Sequence, residues 1–169
     1  MNDEENILGQ YMQIKNDLNI KSKRIIGTLF ARLLKEKFEK YGFKVSEPNV
    51  LIVGVENELD LLIIRKESKS ELDLIYQPSD VLAVFELKGF GIMSGDSINK
   101  IKNVFDKIIN INSKIFCCYL TLKEQKNYKY EVTKEKLGHS AYCLFKKDKG
   151  LFIPTGDWNK FLKEIENFK

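Results

Sequence analysis

Apolar residues recur every three or four positions in several segments of the chain, which is the spacing of an amphipathic helix. The clearest segment spans residues 22–42, where Ser22 can cap the start and Gly42 stands at the end. Another begins at residues 94–96, and a last one starts near Asp157. A looser spacing over the first twenty residues favours a helix there too. The pattern therefore predicts four helices.

Short, largely apolar runs between these helices predict the strands. They cover residues 49–55, 60–65, 81–85, 113–120, 141–145 and 151–153. The runs at 81–85 and 113–120 are apolar almost throughout, as in strands buried on both faces. Helices that alternate with such strands predict an α/β fold, in which a central mixed sheet is flanked by helices.

Composition narrows the class of protein further. The chain has 169 residues, of which 43% are hydrophobic and 31% charged, with three prolines and ten glycines. This is typical of one folded domain, so we expect residues 1–169 to form a single unit. We find no apolar run long enough to span a membrane and no signal peptide, and therefore expect a cytoplasmic protein with no membrane partner.

Cysteine, histidine and net charge add weaker constraints. Cys117, Cys118 and Cys143 lack metal-ligand spacing, so we interpret them as reduced core residues. His139 is the one histidine, which argues against zinc sites, and its place after Gly138 indicates a surface loop. The net charge of +4 is compatible with a polyanionic partner but does not require one.

Charged residues lie at the ends of two apolar strands. Asp60 opens one, and the other continues into Glu86-Leu87-Lys88. Because side chains alternate along a strand, Glu86 and Lys88 would project from the same face. Two other Asp/Glu-x-Lys triplets, at residues 67–69 and 124–126, do not follow a strand-like run. An ordinary salt bridge is the simplest interpretation of such a triplet. Glu86-Leu87-Lys88 is a candidate site because it follows a strand-like apolar run.

Hairpin geometry suggests the partner of Glu86. If residues 60–66 and 81–88 pair antiparallel with Asp60 opposite Glu86, the midpoint falls at residue 73, within a polar loop. The alternative is Asp73 opposite Glu86, which would place Pro78 where the hairpin needs a backbone donor. We favour Asp60 and keep Asp73 as the alternative.

Two adjacent carboxylates raise each other's pKa unless a cation lies between them. A carboxylate pair with an open side suits Mg²⁺ or Mn²⁺. A lysine two residues along can orient or deprotonate a water, or stabilise charge on a phosphate oxygen. This residue set predicts the hydrolysis of a phosphodiester.

Over residues 22–122, the order of helix, hairpin with Asp60, strand ending in Glu86-Leu87-Lys88, helix and strand resembles the PD-(D/E)xK nuclease superfamily. The resemblance implies the restriction-endonuclease-like three-layer fold, with an α-β-β-β-α-β core and residues 1–21 as an N-terminal helical extension. It implies that Asp60, Glu86 and the carbonyl of Leu87 bind the metal, and that Lys88 is the catalytic lysine.

The sequence departs from that pattern in two places. Leu59 replaces the nominal proline, and Asn57-Glu58-Leu59-Asp60 resembles a variant in which Glu58 assists. Many members carry a glutamate after an aromatic residue in the first helix, but Ala31 occupies that place here. Glu36 or Glu39 could serve instead.

Several basic residues are weaker candidates for contact with nucleic acid. The lysine- and tyrosine-containing stretch 123–130 could grip phosphates and stack on bases, although a solvated loop or helix face is the simpler interpretation. The flexible exit Gly89-Phe90-Gly91 could admit a DNA backbone or be a plain turn. The remaining candidates are Lys134, Lys136, Lys100, Lys102, Lys107, Arg24 and Arg32.

Together these features predict a Mg²⁺- or Mn²⁺-dependent nuclease that acts on DNA in a restriction, repair or junction-resolving role. Cutting both strands of a duplex would require a homodimer or two successive nicks. The alternative is an inactive nuclease-like domain that binds DNA or a protein partner, because a fold does not fix a function.

Overall fold

The computed structural model describes residues 3–19, 22–68, 74–90, 95–124 and 130–168. Its helices are α1 (Asp3–Asp17), α2 (Lys23–Lys40), α3 (Gly95–Ile111), α4 (Tyr130–Leu137) and α5 (Asp157–Glu166). Its strands are β1 (Lys44–Val45), β2 (Leu51–Ile52), β3 (Leu61–Ile64), β4 (Ile75–Tyr76), β5 (Val81–Phe90), β6 (Phe116–Lys123), β7 (Ser140–Asp148) and β8 (Leu151–Pro154). None of the helices in the described ranges has the length and apolar character that crossing a membrane requires.

Six of these strands form one mixed sheet in the order β1-β3-β5-β6-β7-β8. The central strands β5, β6 and β7 run parallel to one another, and the remaining neighbours pair antiparallel. The strands β2 and β4 form a separate small parallel sheet. The predicted central mixed sheet is thus confirmed.

Both faces of the sheet are buried, as β6 shows most clearly. Alternate β6 residues such as Cys118 and Leu120 join a core with α1, α2 and α5, whereas Cys117 and Tyr119 join a second core with α3. Every β6 side chain is buried. Helices therefore cover both faces of the sheet, and the predicted three-layer α/β fold is confirmed.

An aromatic cluster fixes α2 and α5 against the central strand β5. The ring of Phe38 lies 5.3 Å from Phe85 and 6.1 Å from Trp158, measured between centroids. The ring of Phe161 is 5.7 Å from that of Phe85. Each such pair contributes about 0.5–1.5 kcal/mol beyond burial of its area. Phe85 immediately precedes Glu86, so this packing also fixes the backbone that carries the candidate site.

The helix predicted over residues 22–42 is confirmed at both ends. The Ser22 side chain accepts a hydrogen bond from the Ile25 amide, and Gly42 has a φ of +83°. A left-handed residue is favoured just after a helix, and glycine adopts it without strain. The sequence did not predict α4.

The strand predicted over residues 49–55 is mostly wrong. Leu51 and Ile52 belong to the small sheet, and Val50 forms an isolated antiparallel bridge with Leu59. Asn49 and Gly54 both have positive φ, so the chain turns on each side of this segment. The edge of the main sheet is formed instead by β1, which the sequence did not predict.

Gly89 lies inside β5, so its interpretation as part of a flexible exit or turn is wrong. A side chain at this position would place its Cβ 2.9 Å from the buried Oη of Tyr11. The absence of a side chain therefore allows α1 to pack closely on β5. Gly91 lies outside the described residues.

All three cysteines are buried thiols, as the sequence predicted. Burial raises the pKa of the Cys117 thiol to about 12, and that of Cys118 well above its ordinary value. Since the thiolate is the reactive species, native protein at pH 8 should not react with a thiol-specific disulfide reagent. Unfolding in urea should release all three thiols. Rapid reaction of any thiol in the folded protein would contradict the packing described here.

Glu4 caps a helix that is distant in sequence. The residue before α5 is Gly156, which has no side chain to accept a hydrogen bond, and the Trp158 amide donates to Glu4 Oε1 at 2.9 Å. Burial raises the pKa of the Glu4 carboxyl, and the Trp158 amide only partly offsets this. The protonated form is therefore favoured in the folded state, and stability from this group falls as pH rises through the raised pKa.

We expect Glu4→Gln to keep the acceptor oxygen and to be at least as stable as the parent at pH 7. We expect Glu4→Ala to leave the Trp158 amide unpaired and to lose about 1 kcal/mol of unfolding free energy. Urea unfolding at pH 4 and pH 7 measures both effects, and the advantage of Gln over the parent should shrink at pH 4. Equal losses in the Gln and Ala variants would contradict the capping role.

Candidate active site

The pairing of β3 with β5 brings the candidate residues together. Leu61 pairs with Phe85 and Leu62 with Val84, so the same antiparallel register places Asp60 opposite Glu86. From Leu61 to Ile63 this is the register that the sequence predicted, and an irregularity then pairs Ile64 with Val81. Asp73, the alternative partner, lies outside the described residues.

Lys88 forms ion pairs with both candidate carboxylates. Lys88 Nζ contacts Glu86 Oε1 and lies 3.7 Å from Asp60 Oδ2. Asp60 Oδ2 also accepts a hydrogen bond of 2.7 Å from the Leu87 amide. The Leu87 side chain points to the opposite face of β5, into the core with α1 and α2. The sequence did not indicate the bond from the Leu87 amide, which orients the Asp60 carboxylate.

Burial and neighbouring charges both shift pKa values in this cluster. Burial, followed by the charge of Asp60, raises the pKa of Glu86, and Lys88 offsets only part of this. Burial alone would lower the pKa of Lys88, but the two carboxylates outweigh it and the net shift is upward. The carboxylate pair therefore favours positive charge at the point where they meet.

Beside Glu86 the site opens into a cleft of about 380 Å³ against α3. Asn57 and Glu58 line it from the loop before β3, and Lys100 and Lys107 line it from the helix. Glu58 thus shares this cleft with Glu86. The cleft exposes one side of the charged cluster to solvent.

The donor atoms in this cluster suit a hard divalent cation. The carboxylates of Asp60 and Glu86 and the carbonyl of Leu87 supply oxygen ligands only, as Mg²⁺ and Mn²⁺ prefer. The described part of the chain contains no group of three or more His, Cys, Asp or Glu side chains placed to hold a metal. Mg²⁺ is often bound by one or two carboxylates and retains several waters, so these residues fit it.

The helix α2 does not add an acidic residue to this cluster. Glu39 pairs instead with Lys35 at 2.9 Å, and Glu36 is exposed. Among the described residues, neither glutamate makes a hydrogen bond or ion pair with Asp60 or Lys88. Ala31 is buried and has no ligating group.

The basic stretch that begins at Lys123 differs only in part from its interpretation as a solvated loop or helix face, since Lys134 and Lys136 are exposed on α4. Lys123 belongs to β6, is only 4% exposed, and its Nζ lies 4.7 Å from the centre of the Phe152 ring. Residues 125–129 and the side chain of Arg24 lie outside the described part of the chain. Lys134, Lys136 and Arg32 are exposed, and none of the three lines the cleft beside Glu86.

His139 is not the surface residue that the sequence indicated. Its side chain is 15% exposed, and its Nε2 lies 2.9 Å from Asp106 Oδ1. Its ring packs edge-on against Phe105. Hydrogen bonds from Lys102 and His139 lower the pKa of Asp106. This polar cluster ties α3 to the start of β7.

Comparison with known proteins identifies the fold. No family model and no curated protein matches the sequence. Among solved structures, NucC of P. aeruginosa ATCC27853 in its cAAA-bound form matches with a TM-score of 0.70 and 10% identity, over 98% of this chain and 87% of that one. The chain therefore has the nuclease-like α/β fold of NucC.

NucC of E. coli MS115-1 gives two further matches. Its cAAA-bound form has a TM-score of 0.69 and 11% identity, over 98% of this chain and 86% of that one. Its apo form has a TM-score of 0.57 and 11% identity, over 99% and 91%. Identities this low establish a likeness of fold alone.

A double-mutant cycle measures how strongly Lys88 and Glu86 interact. We expect Lys88→Met and Glu86→Gln to show a coupling free energy of about 1–2 kcal/mol in urea unfolding, because the pair is partly desolvated. The control is the more exposed i,i+4 pair Lys102 and Asp106 on α3, for which we expect about 0.3–0.5 kcal/mol. A coupling at Lys88 no larger than the control would mean that the cluster is an ordinary surface ion pair.

Proposed function

We propose that this chain is a metal-dependent DNA nuclease of the PD-(D/E)xK type. Asp60 and Glu86 would hold Mg²⁺ or Mn²⁺, with the carbonyl of Leu87 as a third oxygen donor, and Lys88 would act as the catalytic lysine. The observation that carries this proposal is the contact of Asp60, Glu86 and Lys88 at paired strands of a nuclease-like fold.

The position of the three residues supports a reaction rather than a purely structural role. Two carboxylates and an ammonium group meet where the start of β3 lies beside β5, yet each side chain is 21–33% exposed. A cleft large enough for part of a substrate adjoins Glu86. Reactive groups that are partly desolvated and still accessible are typical of active sites.

When bound, the metal would supply positive charge to a non-bridging phosphate oxygen and stabilise the charge that develops there. Asp60 would enter this arrangement with its carboxylate already oriented by the Leu87 amide. The substrate would reach Glu86 through the adjoining cleft, which Glu86 lines. Preorganised charge of this kind needs no rearrangement during the reaction.

Lys88 would hold a water or a phosphate oxygen through its ammonium group. That group has three donors and no acceptor, so in its charged form it orients a nucleophile or neutralises an oxyanion rather than removing a proton. Its contacts with both carboxylates keep it beside the reacting phosphate.

The net charge of +4 fits a polyanionic substrate, and we assign DNA. Each chain would contribute one such centre. Cleavage of both strands would then need a homodimer or two successive nicks.

Cleavage of supercoiled plasmid, single-stranded, flap and four-way-junction DNA tests this proposal. We expect cutting with Mg²⁺ or Mn²⁺, none with EDTA, and losses of about 10²–10³-fold in Asp60→Asn, Glu86→Gln and Lys88→Met. The matched control is Asp106→Asn, which removes a carboxylate from α3 outside the cluster and should retain activity.

The alternative function is DNA or protein binding without hydrolysis. The contact of Lys88 with both carboxylates favours it, because the same geometry describes a stabilising ion cluster. Metal-independent DNA binding with no cleavage of any substrate would contradict the nuclease proposal and support this alternative.

A further inference from the structure

The helix α3 presents its lysines on two different faces. Lys100 and Lys107 line the cleft that contains Glu86. Lys102 instead donates a hydrogen bond of 2.7 Å to Asp106 Oδ2 and lies near Gly138. The sequence could not show which of these lysines face the cleft, because this depends on how α3 is rotated against the sheet.

The two cleft lysines are available to an incoming anion. Both are exposed, and within the described ranges no carboxylate lies within ion-pair distance of either ammonium group. The amides of Asn57 and Asn103 line the same cleft and can also donate hydrogen bonds to phosphate oxygens. Glu58 and Glu86 are the acidic residues of this cleft. One wall of the cleft is therefore cationic and faces the candidate metal ligand Glu86.

The spacing of the two lysines allows both to reach one nucleic acid strand. Seven residues of helix place Lys100 and Lys107 on one face, about 10 Å apart along the axis. Successive phosphates of a DNA strand follow a helical path, so they lie farther apart than the axial rise of about 3.4 Å per nucleotide, and two lysines on one helix face can contact two different phosphates of the same strand. Lysine side chains are long and flexible, so their ammonium groups can adjust their separation to that of the two phosphates.

We propose that Lys100 and Lys107 form a backbone-phosphate subsite that positions the DNA strand to be cut across the Asp60, Glu86 and Lys88 cluster. This inference rests on the proposed function. It places the substrate strand along the cleft between α3 and Glu86. The contacts are to phosphate and independent of base sequence, because lysine acts there as a point charge. Both lysines are positioning residues, and they do not touch the reacting phosphate.

Salt-dependent binding measures the subsite without requiring cleavage. Anisotropy of a labelled DNA duplex in EDTA, titrated with the full chain between 50 and 200 mM KCl, gives the slope of log affinity against log salt. We expect Lys100→Ala/Lys107→Ala to bind about tenfold or more weakly at 100 mM and to reduce the slope by about 1.8, since each phosphate contact contributes about 0.9.

Two matched variants separate phosphate contact from a loss of folding. Lys102→Ala removes a lysine from another face of the same helix, so its affinity and slope should equal those of the parent. Lys100→Arg/Lys107→Arg keeps both charges and should retain the slope of the parent. A slope that is unchanged in the Ala pair, or equally reduced in Lys102→Ala, would overturn the inference, as would no binding of DNA by the parent.

The cleavage assay distinguishes failure of the subsite from failure of the nuclease proposal. A reduced slope in the Ala pair, with no cleavage by the parent, would support the subsite and contradict the nuclease. Cleavage by the parent with an unchanged slope in the Ala pair would support the nuclease and overturn the subsite.

Discussion

The antiparallel register between β3 and β5 is the constraint on which the candidate site depends. A slip of one residue would turn every side chain of one strand to the opposite face of the sheet. Leu61 and Phe85 belong to one core and Leu62 and Val84 to the other, so both faces resist such a slip. Asp60 and Glu86 therefore meet because apolar packing on two faces fixes their strands.

The register brings the carboxylates of Asp60 and Glu86 close together, and the positive charge of Lys88 offsets their repulsion. Two partly buried carboxylates on neighbouring strands repel, and the raised pKa of Glu86 reflects burial and the neighbouring Asp60. Lys88 contacts both groups, and the Leu87 amide binds Asp60. The aromatic cluster around Phe85 holds the strand beneath them. A stable core thus supports an arrangement that is itself unfavourable without a cation.

Much of this arrangement could be predicted from the sequence because it follows local rules. Alternation along β5 places Glu86 and Lys88 together, and a polar loop centred between two apolar runs indicates the register of the hairpin. The helix ends at Ser22 and Gly42 follow capping chemistry. The small sheet was missed because Asn49 and Gly54 turn the chain within a run that is otherwise apolar and β-branched.

The features that could not be predicted depend on contacts between residues distant in sequence. Glu4 caps α5 across more than 150 residues, and Gly89 makes room for Tyr11 of α1. Which α3 lysines face the cleft depends on how the helix packs on the sheet. These contacts arise from the three-layer packing, so hydrophobic periodicity carries little information about them.

Crystals of the chain grown with Mn²⁺ and measured at the manganese absorption edge would test the central claim most directly. We expect an anomalous peak at the carboxylates of Asp60 and Glu86, which should be absent in Asp60→Asn/Glu86→Gln. A wild-type crystal with no peak there would contradict a metal-dependent active site at this position.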